Sequence, residues 1–91
     1  MRALPVIPAS GLFAWLLRGL GFRAITMPWA IYVLPSAMSD ERLIAHERIH
    51  EEQLRRDGVL LFFMRYTWWT LRHGYWMNPY EIEARERSGA A

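Results

Sequence analysis

His46 and His50 lie four residues apart in the stretch HERIHEEQ, residues 46–53, with Glu47 directly after the first of them. On a helix, residues four apart share a face, so two imidazoles at this spacing can grip one ion. A glutamate next to the first ligand reaches the side of the ion where water binds. This is the H-E-x-x-H pattern of two ligands and a general base. Zinc lowers the pKa of its water to roughly 7, and the glutamate takes the proton as a carbonyl is attacked. The plainer reading is a solvated helix face with Arg–Glu pairs among Arg42, Arg48 and Glu51. The motif needs a helix with sound ends, and the sequence predicts one, which favours the metal.

A catalytic zinc site usually has three protein ligands and leaves the fourth position to water. The chain has no cysteine, so the third ligand must be histidine or carboxylate. His73 is the only other histidine, and it ends an apolar stretch. Glu81, in NPYEIEAR, opens a later predicted helix, with room for a connecting helix to bring the chain back. Glu83 competes with it, and periodicity alone does not separate the two. Asn78 and Glu81 also form an N-x-x-E capping pattern, in which Glu81 would bond only its own helix.

These residues need elements to hold them. Residues 1–10 contain Pro5 and Pro8 and read as an extended arm. Leu12, Phe13, Leu16, Leu17 and Leu20 recur at helical spacing, so residues 11–20 read as a short amphipathic helix. Residues 24–34 are rich in Ile, Val, Tyr and Trp and read as two short extended segments, a hairpin with Pro28 at its turn or on an edge. Ser39 has a capping hydroxyl and precedes Asp40 and Glu41, whose charges suit a helix start. That helix spans residues 40–57 and ends in Arg55, Arg56 and Gly58. A second, very apolar helix is predicted over residues 59–73. A turn follows, then Asn78 as cap and Pro79 at the first position of a helix over residues 79–87.

The whole is a small α+β chain, mostly helical, with about four helices and a short hairpin or extended edge. At 91 residues it buries a modest core and gains from a metal or partner. Hydrophobic residues make up 53% of it and aromatic residues 14%, which excludes a disordered chain. Leu60, Leu61, Met64, Trp68 and Leu71 read as a core stripe, with Arg65 and Arg72 on the wet side. Net charge is +2, and the arginines are interspersed with glutamates, which argues against nucleic acid. Arg18 interrupts the apolar run of residues 11–22, so neither a signal peptide nor a spanning helix is expected. The expected setting is cytoplasmic or virion-associated.

HERIHEEQ followed by NPYEIEAR resembles the small gluzincin-type zinc metallopeptidases of bacteria and their phages. In that group H-E-x-x-H, often extended to H-E-x-x-H-x-x-Q, precedes a helix with E-x-x-A or E-x-x-x-D. The likeness covers residues 24–88 and implies a minimal zincin-like domain at residues 24–91, after an N-terminal arm and helix at residues 1–23. It implies one zinc per chain on His46, His50 and Glu81, with Glu47 as base. It implies that Gln53 supports a ligand and that Ala84 lets two helices approach. It also implies that a strand at Ile31, Tyr32 and Val33 pairs with a peptide or protein substrate. The family often has aspartate four residues after the third ligand, and Arg85 stands there. Glu83, Glu51 or a backbone carbonyl would then have to orient the first histidine. Tyr75, Tyr80, His73 and Arg85 are the candidate oxyanion donors.

The implied activity is zinc-dependent peptide hydrolysis. The rival is a non-catalytic, zinc-stabilised interaction or assembly module, in a virion or at a membrane. The apolar helices would in either case meet a protein partner, a second copy or a membrane surface.

Overall fold

The computed structural model describes residues 3–89. Its elements are β1 (Val6–Pro8), α1 (Gly11–Leu20), β2 (Ala24–Met27), β3 (Ala30–Val33), a 3-10 turn (Pro35–Ala37), α2 (Glu41–Asp57), α3 (Val59–His73) and α4 (Pro79–Ser88). The expected α+β fold of four helices and a small sheet is present.

The hairpin forms as read. β2 and β3 pair antiparallel, with Ala24 opposite Val33 and Met27 opposite Ala30, so Pro28 and Trp29 make the turn. The arm is more than an arm. β1 pairs parallel with β3, Val6 opposite Ile31, and the strand order is β1-β3-β2. Two charged side chains of α2 hold its entry. The Leu4 N–H donates to Glu51 Oε2 at 2.9 Å, and Arg48 Nη1 donates to the Leu4 carbonyl at 2.6 Å. Residues before and after position 23 therefore share one sheet.

This order corrects the expected substrate strand. Ile31, Tyr32 and Val33 lie in the central strand, hydrogen-bonded on both sides. Their backbone has no edge left for a peptide. The edge strand beside α2 is β2.

α2 is capped one residue later than expected. Asp40 is the cap, and its Oδ1 accepts from the Leu43 N–H at 3.0 Å. A carboxylate also draws on the helix dipole and on Arg23, 3.0 Å away, whereas the Ser39 hydroxyl has no such charge. Gly58, at φ +84°, turns the chain from α2 into α3 in a conformation closed to most side chains. Asn78 caps α4 by accepting from the Tyr80 N–H, as read. Ala84 is fully buried where α4 packs on α2.

α3 reverses the expected stripe. Leu60, Leu61, Met64, Trp68 and Leu71 are exposed, Leu71 at 79%. The inward face is Phe62, with Phe63, Tyr66 and Trp69 partly covered against Leu54 and Tyr80. The helix is apolar on most sides, so hydrophobicity alone does not select the side that packs.

Candidate metal centre

α2 and α4 bring three donor groups together. His46, His50 and Glu81 are buried, and their candidate ligand atoms all lie within 4.8 Å of one another. His46 Nε2 is 2.8 Å from Glu81 Oε1, and His50 Nε2 is 3.1 Å from the same oxygen. Donors about 2.0–2.2 Å from a tetrahedral ion stand about 3.3 Å apart. Two imidazoles and a carboxylate at this separation fit a divalent cation, so this group could hold a metal ion. His73 is exposed at the end of α3 and belongs to no such group among the described residues.

A chain of hydrogen bonds fixes the His50 ring. The Gln53 amide nitrogen donates to the Tyr80 carbonyl at 3.0 Å and to Glu83 Oε1 at 2.7 Å. Both partners are acceptors, so the amide oxygen must point the other way, to His50 Nδ1 at 2.8 Å. That oxygen can only accept. Nδ1 therefore has the proton, and a neutral ring presents the Nε2 lone pair to Glu81. A lone pair facing a carboxylate is repulsive unless a positive charge lies between them. That charge is a second proton or a metal.

The electrostatics agree. Burial works against a charged His50, but the hydrogen bond and charge of Glu81 outweigh it and raise its pKa. Burial likewise disfavours ionised Glu81, yet hydrogen bonds from His46 and His50 hold its carboxyl well below the usual carboxylate range. Without a metal, a proton on His50 facing ionised Glu81 is therefore favoured. Glu81 is further fixed by the Tyr66 hydroxyl, which donates to Oε2.

Glu47 is buried beside the trio but is not part of it. Burial pushes its carboxyl up, partly offset by His50 and His46. The Thr26 hydroxyl lies 3.0 Å from the Glu47 carbonyl and 3.1 Å from Oε1, sharing its proton between them. Edge strand β2 thus holds the carboxylate in place. A cavity of about 260 Å³ opens here, with Glu47, His50 and Glu81 at one side and Phe22, Ala24, Ile25, Phe62, Phe63 and Tyr75 around the rest.

The other site residues sort by position. Gln53 acts on His50 as expected. Glu83 lies outside the trio, accepting from Gln53 and standing 3.6 Å from Arg56. Glu51 is occupied by Leu4, Arg48 and Arg55 and is not available to orient His46. Tyr75 lines the cavity, and burial and the nearby charges of Glu81 and Glu47 raise its pKa, so its hydroxyl stays a donor. Tyr80 and Arg85, the other candidate oxyanion donors, are engaged elsewhere in this structure. The Tyr80 ring is buried and its hydroxyl donates to Asp57. Arg85 donates to the Trp76 carbonyl and lies 3.8 Å from the Trp76 ring centroid. Sequence reasoning missed Tyr66 and Thr26. Tyr66 had one legible signal, a hydroxyl within an apolar helix, which needs a partner once buried. Thr26 had none.

The chain matches no protein-family model, no curated protein and no solved structure.

Proposed function

We propose that this chain is a zinc-dependent peptidase, with zinc on His46, His50 and Glu81 and Glu47 as general base. One observation supports this above the rest. Glu47 is a buried carboxylate outside the ligand trio that opens onto the same cavity. A purely structural site has no use for a desolvated second acid. Zinc bound there would supply Lewis acidity and a water of lowered pKa.

The chain's own residues supply the rest. Glu47 takes a proton from the attacking water and returns it to the leaving amine. Thr26 holds that carboxylate in its working rotamer. Tyr75 donates to the oxygen on which negative charge develops. An extended peptide adds to the edge of β2, and the wall of Phe22, Ile25, Phe62 and Phe63 favours a bulky apolar side chain next to the cleaved bond.

The test pairs elemental analysis with digestion of a peptide library. About one zinc per chain is expected, lost in His46→Ala and in Glu81→Ala. Glu47→Gln is expected to keep the zinc and lose cleavage by at least about 100-fold. Zinc retained by a wild-type chain that cleaves no peptide would leave a zinc-stapled assembly module instead. Absence of zinc uptake would overturn both.

A further inference from the structure

We infer that the exposed apolar faces of α1 and α3 are a docking surface for an anionic lipid bilayer. On α1, Leu12, Trp15 and Leu20 are 66–72% exposed. On α3, Leu60, Trp68 and Leu71 are 60–79% exposed. Each set recurs at helical spacing, so each forms an apolar stripe on the outside of a packed helix. The opposite face of α3 is already used, since Phe62, Phe63 and Tyr66 close the cavity beside the metal group.

Charge selects the occupant. All nine acidic residues lie within residues 40–57 or 81–86. α1 and α3 contain none, and their only formal charges are Arg18, Arg65 and Arg72. Arg18 and Arg72 lie in the last turns of their helices and make no ion pair among the described residues. All five tryptophans also fall in the acid-free stretches, residues 1–39 and 58–80. Exposed Leu and Trp with cationic arginines and no acid is the pattern of a helix lying in the headgroup layer. Tryptophan prefers that layer, and arginine stems snorkel from it to lipid phosphate. Among the described residues no helix is long and apolar enough to cross a membrane, and the one-sided stripes fit contact at the surface. A second copy of this chain would set like-charged arginine faces against each other, whereas an anionic surface complements them.

The test is flotation of the full chain with vesicles of phosphatidylcholine alone and of equal parts phosphatidylcholine and phosphatidylglycerol. The chain should float with the mixed vesicles, float less with the neutral ones, and release at high salt. Leu60→Glu and Leu71→Glu should each lower partitioning by about tenfold or more, with the helical circular dichroism spectrum unchanged because both positions are exposed. Glu86→Ala, on exposed α4 surface, should float as the wild type does. Equal flotation with both vesicle types would overturn the choice of an anionic surface. Absence of flotation would overturn the inference. So would a lipid-free dimer by analytical ultracentrifugation that Leu71→Glu dissolves, because the face would then be covered by a second copy.

Discussion

Gln53 sets which nitrogen of His50 bears the proton, and it does so because its own amide is pinned by Tyr80 and Glu83. Replacing it by leucine removes the acceptor at Nδ1 and frees the ring to rotate and change tautomer. Groups in this position typically contribute 10–100-fold to metal affinity. Gln53→Leu is expected to weaken zinc binding by about that factor, read by competition with a chromogenic chelator. Gln53→Glu keeps an acceptor at Nδ1 but sets a carboxylate against the Tyr80 carbonyl and Glu83, so it should recover part of the loss only when combined with Glu83→Gln. An unchanged affinity in Gln53→Leu would show that packing alone orients His50. His46, Glu47 and His50 were legible in the sequence because their chemistry is local to one helical turn. Glu81 was harder, since only the resemblance ranked it above Glu83. The structure supplies the physical reason. Both side chains reach α2, Glu81 at His46 and His50 and Glu83 at Gln53 and Arg56. Residues two apart on a helix point in different directions, so only one of the pair can meet both histidines. Which one does so depends on how α4 packs, and no local pattern contains that.

At the scale of elements, the metal group exists because α4 lies close on α2. Ala84, fully buried at that contact, limits the separation. Ala84→Leu inserts three carbons where no space is left, and overpacking of this kind costs about 1–3 kcal/mol. Loss of metal affinity should exceed what that destabilisation explains, because a displacement between the helices pulls Glu81 from the histidines. Titration of zinc into the variant, beside its denaturation midpoint, separates the two effects. A second contact ties the N-terminal strand to the same helix. Glu51→Ala orphans the Leu4 amide and removes the carboxylate beside Arg48, at a cost of about 2 kcal/mol. Limited proteolysis should then cut before α1, where the parent chain resists. The helices were legible from caps, prolines and glycines, signals that act within a few residues. β1 was not, because three residues flanked by prolines say nothing of a partner strand more than twenty residues away. The inward face of α3 was misread because an apolar helix offers several faces of similar hydrophobicity. Contact with Leu54 and Tyr80 selects one of them.

For the molecule as a whole, the metal group and the fold are linked through protons. In the metal-free chain His50 has a raised pKa and Glu81 a lowered one. A base with a raised pKa stabilises the fold fully below its unfolded value, here 6.5, and loses that contribution as pH rises through the folded value. An acid with a lowered pKa stabilises fully above its unfolded value, here 4.5, and loses that contribution as pH falls. The metal-free chain should therefore be most stable between these two values, and less stable at alkaline pH as the lone pair of neutral His50 comes to face Glu81. Zinc bound at the trio, as proposed, would reverse the trend, since it takes the neutral ring and competes with protons. At free zinc about 100 times its dissociation constant, the fold gains about 2.7 kcal/mol. For a domain of this size that is about 10–20 °C in Tm. Thermal melts with zinc or with a chelator, across pH 5 to 9, should give two curves that diverge toward alkaline pH and converge toward acid. If the melts are independent of zinc throughout this range, the buried trio holds no zinc. If they are zinc-dependent but diverge toward acid instead, the proton that zinc displaces at the trio is not the one on His50.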